Sequence, residues 1–289
     1  MSASKEKSIV ITGASTGIGY AAARVFLDDG WRVFGSVRKA ADAEPLTSEY
    51  PNAFTALVFD VTDDEAIDRS AAKVRKLLDG QTLKGLINNA GIAVTGPLQH
   101  IPMDELKFQF AVNVFGLARV SQAFIPLLGA DKSLSGKPGK IVNMSSVAGK
   151  VSAPLFGPYT MSKHALEAYS HSLRRELLMY GIDVVIVGPG SIKTPIWDKA
   201  DDTDIEQYRN TDYHAVFDRV LHLSRATGER GMPPERLGSL LLDILKNDAP
   251  KWRYAIVADR LTMWTLPRLL PTRLLDRIMT RRFGFPKKA

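Results

Sequence analysis

Seven short runs of apolar and β-branched residues, with little polar alternation, constrain this chain more than any other feature. They cover residues 8–13, 31–37, 54–61, 85–91, 139–145, 183–188 and 253–258. Strands without alternation are buried on both faces, which requires helices on both sides of a largely parallel sheet. Segments of helical period lie between the runs, over 18–29, 63–79, 103–128, 159–180 and 233–247. Right-handed crossovers then predict an α/β Rossmann fold, a doubly wound parallel sheet of about seven strands with helices on both faces. No internal repeat or linker-like shift interrupts the pattern, so 1–289 reads as a single domain with a core over 8–190. Two stretches break the rhythm. Residues 191–232 far exceed the roughly 2–6 residues of an ordinary βα loop. They follow a strand's carboxyl end, where open α/β sheets bind ligands, and read as a substrate lid. Residues 260–289 form a C-terminal extension.

Composition removes several classes of chemistry. With no cysteine among 289 residues, disulfides, Fe–S clusters, thiolate zinc sites and a cysteine nucleophile are excluded. The five histidines contain no HExxH pair, so no metal site is expected. The net charge of +7 is local, because Arg260 to Ala289 holds eight basic residues and one acid, Asp276. The balanced remainder argues against a nucleic-acid partner. The polar opening MSASKEKS has no hydrophobic segment, and no apolar stretch reaches 18 residues. No secretory signal or membrane span is expected, and the predicted location is cytoplasmic.

Chemistry-bearing residues cluster at the ends of the predicted strands. Strand one runs into Thr12-Gly13-Ala14-Ser15-Thr16-Gly17-Ile18-Gly19. Glycines at such a turn let the backbone approach a pyrophosphate resting on the helix N-terminus. Asn88-Asn89-Ala90-Gly91 ends strand four, and Pro189-Gly190-Ser191-Ile192-Lys193-Thr194 follows strand six. Tyr159 and Lys163 are four apart on a predicted helix and share one face. A nearby ammonium stabilises phenolate and brings the phenol towards the working range of an acid/base catalyst. Together with Asp60, Asn113 and Ser146, these motifs span residues 9–194 in order.

The sequence therefore resembles the short-chain dehydrogenase/reductase family, and Arg38 after strand two, the long 191–232 stretch and the C-terminal extension resemble its 17β-hydroxysteroid and retinol dehydrogenase branch. The resemblance implies an oxidoreductase acting on CH–OH groups, with the tetrad Asn113, Ser146, Tyr159 and Lys163. Tyr159 exchanges the proton, Ser146 polarises the carbonyl, and Asn113 joins Lys163 to solvent through water. Lys163 also holds the nicotinamide ribose. Gly13, Ser15, Thr16, Gly17, Ile18 and Gly19 would take the pyrophosphate, and Asp60 and Val61 would flank the adenine. Asn89, with Ala90 and Gly91, would approach the adenosine ribose. Pro189, Gly190, Ile192 and Thr194 would meet the nicotinamide and pyrophosphate. Relatives pair through the asparagine and YxxxK helices, so a homodimer or homotetramer is expected.

Strand two ends Ser36-Val37-Arg38-Lys39. Val37 stands where NAD-preferring relatives carry aspartate, and Arg38 can hold a 2′-phosphate through paired charge-assisted bonds. NADP(H) is expected over NAD(H), the alternative being that Arg38 and Lys39 are ordinary surface charges. Leu155, Phe156 and Trp197, with Val216, Phe217, Val220 and Leu221 at helical spacing, predict an apolar pocket for a lipophilic alcohol or ketone, a steroid, retinoid or similar. Small polar or aromatic ketones are the alternative substrates, and a dinucleotide sensor or scaffold without turnover is the alternative function. In the extension, Leu270, Leu274 and Ile278 recur every four residues, with Leu275 and Met279 beside them and a parallel row of Arg273, Arg277 and Arg281. Such a helix is expected to lie in an anionic membrane interface, the alternatives being that it closes the substrate pocket or makes a subunit contact with its arginines solvated.

Overall fold

The computed structural model describes residues 7–194 and 205–286, the side chain of residue 225 excepted. Seven parallel strands form one sheet in the order β3-β2-β1-β4-β5-β6-β7. They are β1 Ser8–Ile11, β2 Arg32–Val37, β3 Phe54–Val58, β4 Gly85–Asn88, β5 Lys140–Met144, β6 Asp183–Pro189 and β7 Arg253–Ile256. The order reverses between β1 and β4, both of which pair along their central residues, with Ile9 opposite Val33 and Gly85. This is a doubly wound Rossmann sheet, whose ligands lie at that switch point beyond the strand ends.

The helices are α1 Gly17–Asp28, α2 Glu44–Glu49, α3 Asp64–Leu78, α4 Met103–Phe110, α5 Leu117–Phe124, α6 Gly157–Glu176, α7 His214–Glu229, α8 Pro234–Lys246, α9 Leu266–Leu269 and α10 Thr272–Phe283. Two apolar layers cover the sheet. One gathers Phe26 of α1 and Leu237 and Leu241 of α8 against Ile9 and Val33. The other gathers Ile67 and Val74 of α3 and Phe124 of α5 against Val10 and Leu86. Residues of the central strands are almost wholly buried, which is why their sequence lacks alternation.

Three departures from the sequence expectation matter. The helix expected over 103–128 is broken by a π-helical segment, Ala111–Gly116, between α4 and α5. An extra residue per turn re-aims side chains and is common at functional sites; Asn113 lies in it. Residues 40–49, expected as connection, form a 3-10 turn and the short α2. In the extension, α10 begins after Pro271, and its half-buried residues are Leu275, Met279 and Phe283. The row read from sequence points outward, with Leu274 43% and Ile278 45% exposed. Leu275 and Met279 border a cavity of 440 Å³ against Leu98, Pro154 and Met161.

The described part of the predicted lid contains α7. Val216, Phe217, Val220 and Leu221 are buried there with Leu155 and Tyr208, and Phe156, Phe283 and Phe285 pack against them. The extension thus packs against α7 through two phenylalanines.

Candidate active site

The β1–α1 turn is shaped for close approach. Gly13 and Gly17 adopt φ of +67° and +58°, a region that strains any residue with a Cβ. A Cβ on Gly19 would collide with the Gly13 carbonyl. Thr16 precedes α1 in extended conformation and gives no side-chain cap. Among the described residues, the first-turn N–H groups of this twelve-residue helix stay open to an anion. Ser15, Thr16 and Ile18 stand on this turn, partly or fully exposed.

Neighbouring strands brace the turn. The Gly13 N–H donates to Ser36 Oγ at 3.0 Å, and the Ala14 N–H donates to the Ser36 carbonyl at 2.8 Å. Thr12 Oγ1 accepts from the Asn89 and Ala90 N–H groups at 2.9 and 3.0 Å. Asn89 Nδ2 donates to the Thr12 and Gly13 carbonyls at 3.0 and 3.2 Å, so its amide is committed to the turn. Asp60 accepts from the Thr62 N–H and hydroxyl at 3.0 and 2.7 Å. Val61 packs under Gly116, where a Cβ would meet the Val61 carbonyl at 2.7 Å. Arg38 stands exposed just past β2, with no acidic partner among the described residues.

At the catalytic end, Ser146 follows β5. Its Oγ accepts from the Ala148 N–H at 3.1 Å and donates to the Pro189 carbonyl at 3.4 Å. Tyr159 lies in the first turn of α6. The approach to that turn is strained, since Leu155 has φ +67°, held as its carbonyl accepts from the Gly96 N–H at 2.7 Å. Lys163 is buried one turn after Tyr159 and donates to the Met144 carbonyl at 2.8 Å. Gly190, past β6, donates to the Ile256 carbonyl at 2.7 Å. Ile192 is buried and bridges to Met232, and Thr194 closes this described stretch. Trp197 lies outside the described residues. Gly91 sits beside Asn113, whose Oδ1 accepts from the Ile92 N–H at 2.9 Å.

Burial acts on both titratable members of the tetrad. Burial pushes the Tyr159 phenol up, and a hydrogen bond with Ser146 draws it partly back. The Lys163 Nζ is turned to the Met144 carbonyl and sits 5.7 Å from the centre of the Tyr159 ring. Burial also lowers Lys163, to about 8, against the supporting charge of Glu167. The phenol is therefore protonated near neutrality, the state that donates.

Several residues of this neighbourhood escape sequence reasoning. Ser162 Oγ accepts from Asn113 Nδ2 at 3.2 Å and Gln109 Nε2 at 3.4 Å. Gln109 Oε1 accepts from the Val94 N–H at 2.7 Å. Glu167 and Arg253 form a buried pair behind the serine. Glu167 stands four residues after Lys163, a spacing that could have drawn attention to it.

The sequence as a whole decides the family. A family model described as short chain dehydrogenase matches residues 7–205. The chain belongs to the short-chain dehydrogenase family. It is 41% identical over 269 residues to an NADPH-dependent 3-dehydrocapnine reductase of Ornithobacterium rhinotracheale, covering 93% of this chain and 94% of the relative. It is 30% identical to retinol dehydrogenase 5 of Mus musculus, over 94% of this chain and 87% of the relative. The fold is similar to that of a short-chain dehydrogenase from Streptomyces avermitilis, with a TM-score of 0.74, 26% identity and coverage of 97% and 96%. The protein is thus an oxidoreductase of a family that binds a nicotinamide dinucleotide and acts on small molecules. The glycine turn, the open N-terminus of α1 and the switch point between β1 and β4 fit such a group. No helix among the described residues is long and apolar enough to cross a membrane.

Proposed function

We propose that this short-chain dehydrogenase is an NADPH-dependent reductase of a lipophilic ketone, with the alcohol as product. The observation that carries the reading is the grouping of Tyr159, half-buried in the first turn of α6 and hydrogen-bonded with Ser146, with the buried Lys163 one turn on. When bound, a reduced nicotinamide supplies a hydride to the carbonyl carbon. Tyr159 then gives its proton to the carbonyl oxygen, and Ser146 hydrogen-bonds that oxygen as charge develops on it. Lys163 keeps a positive charge beside the phenol and the nicotinamide ribose, and Asn113 anchors the water path to Lys163. Gly13 to Gly19 cradle the pyrophosphate, and Arg38 takes a 2′-phosphate; its exposure without an acidic partner supports NADPH over NADH. The relative named as an NADPH-dependent 3-dehydrocapnine reductase supports both the reductant and the direction.

The retinol dehydrogenase among the relatives supports a bulky apolar substrate such as a steroid, a retinoid or a long-chain ketone, while the face of α7 with Leu155 and Phe156 is packed as core. Exposed Phe108 and Phe115 on the asparagine helix and Met161 on α6 support pairing into a homodimer or homotetramer. The exposed Leu274 and Ile278, beside Arg273 and Arg277, support a cytoplasmic enzyme that touches an anionic membrane surface through α10. The deciding experiment is turnover with NADPH and NADH against a ketosteroid, retinal, a long-chain 3-ketone, an aromatic ketone and a small keto-sugar. NADPH-linked reduction of the bulky members is expected. Preference for NADH, or for the keto-sugar alone, would overturn the cofactor or the substrate reading. Cofactor binding without any turnover would favour a sensor.

A further inference from the structure

Behind the catalytic serine lies a charged cluster that the proposed reaction does not use. The Glu167 side chain, only 2% exposed, is one helical turn past Lys163. Its Oε1 accepts from Ser145 Oγ at 2.8 Å and from Arg253 Nη2 at 2.9 Å. Its Oε2 accepts from Arg253 Nε at 3.1 Å and faces Lys150 Nζ at 3.2 Å. Arg253 comes from β7, and its Nη2 also reaches the Ser146 carbonyl at 3.4 Å. The outer side of its guanidinium lies 4.1 Å from the ring centre of Trp264, a buried residue of the C-terminal extension. Arg268 stands against the same ring at 4.4 Å.

Two glycines keep room for the cluster. A Cβ on Gly149 would stand 2.7 Å from Ser145 Oγ, and one on Gly188 would stand 2.7 Å from Arg253 Nη2. Buried ion pairs seldom add net stability over apolar residues of like volume, so stability alone is a poor account of this one. Its position offers another. One member holds the Ser145–Ser146 segment from behind, and the other stands one helical turn past Lys163 on the same face of α6. Trp264 then ties the pair to the extension.

We propose that Glu167, Arg253 and Trp264 are positioning residues through which the C-terminal extension sets the seat of Ser146 and the charge of Lys163. The proposal rests on the catalytic reading of Ser146, Tyr159 and Lys163 given above. The charged and titratable groups facing the pair are Lys163 and His171 of α6, Lys150 of the loop after β5, and Arg268 of the extension. Tyr159 faces Lys163 from the same helix. Removing the Glu167 charge withdraws support from the ammonium. Removing the Trp264 ring frees Arg253 to draw away from Glu167, which leaves that carboxylate less compensated and favours the ammonium. The two changes should therefore move Lys163 in opposite directions, which mere loss of packing would not produce.

The test uses the full chain labelled with [ε-13C]lysine and titrated by NMR without cofactor, the Lys163 signal being assigned by its loss in Lys163→Met. The Lys163 midpoint should fall in Glu167→Gln and rise in Trp264→Leu, by about half a pH unit or more, while Trp264→Phe stays near the wild type. With NADPH and the best ketone of the panel, the basic limb of the kcat profile should follow the same order. Unmoved midpoints in both variants would overturn the proposal. A shift in Glu167→Gln alone would overturn the role of the extension. Should Glu167→Gln fail to fold, Trp264→Leu decides: an unchanged midpoint and kcat overturn the proposal. Normal turnover by Tyr159→Phe would overturn the parent reading of the site, whereas its loss beside an unchanged Glu167→Gln profile overturns the positioning cluster alone.

Discussion

Lys163 allows a prediction in which the burial of one charge is read directly as stability. Its pKa stands at about 8 against 10.5 for the free side chain. At about 1.4 kcal/mol per unit, the gap places a penalty of about 3 kcal/mol on the charged form in the fold. Lys163→Met keeps most of the stem and removes the ammonium, and the lost hydrogen bond to the Met144 carbonyl costs about 1 kcal/mol. The variant should thus be more stable than the wild type by about 2 kcal/mol at pH 7, though inactive. The folded pKa lies below the unfolded one, so between pH 8 and 10.5 the unfolded chain binds more protons and wild-type stability rises with pH. By pH 9.5 the wild type should recover about 2 kcal/mol, closing the difference. Urea unfolding of both proteins without cofactor at pH 7 and pH 9.5 reads this directly. A difference that is the same at both values would refute the reasoning, for it would mean that Lys163 carries an ordinary pKa in the fold.

Tyr159→Phe keeps the ring and removes the donated proton, and should lower kcat about 10²–10⁴-fold with cofactor binding by fluorescence intact; near-normal kcat would remove the phenol from the reaction. Arg38→Leu should raise KM for NADPH about 10- to 100-fold, the value of a paired charge-assisted contact, and leave KM for NADH in place. Equal effects on both cofactors would make Arg38 a general surface charge. Phe217→Ala empties a fully buried position on α7 and should cost about 3–5 kcal/mol in urea unfolding; an unchanged midpoint would contradict its packing. Leu274→Asp with Ile278→Asp should abolish co-sedimentation with phosphatidylserine vesicles while leaving turnover of a water-soluble ketone intact. Equal sedimentation would rule out the outer row as a lipid contact.

The sheet was legible because full burial leaves a signature in the residues themselves. Ile9, Val10 and Ile11, or Val184 to Val187, face covered layers on both sides, and no polar residue could take their places cheaply. The glycine turn and the Tyr159–Lys163 pair were legible for another reason, since each acts over a few residues of sequence. The state of the phenol was not. Its protonation depends on how deeply α6 is buried and on where Nζ finds an acceptor, and Met144 lies 19 residues upstream on another element. Proximity on one helix face gave the neighbour but not the direction in which the ammonium points.

The extension illustrates the same boundary. Rows at 270, 274, 278 and at 275, 279, 283 both satisfy helical spacing, so periodicity alone could not choose the buried one. The choice falls to the second row because Leu98, Pro154 and Met161 line the cavity it borders and α7 receives Phe283. Trp264 looks equally unremarkable as one large residue among several in the tail. Its partner Arg253 belongs to the last strand, and Arg253 in turn finds Glu167 86 residues earlier. Each link is ordinary in sequence, and only the sheet order, with β7 beside β6 and β6 beside β5, brings all three behind Ser146. A tail that seemed separable by composition therefore shares its packing with the catalytic centre, and removing it should disturb the chemistry as well as any membrane contact.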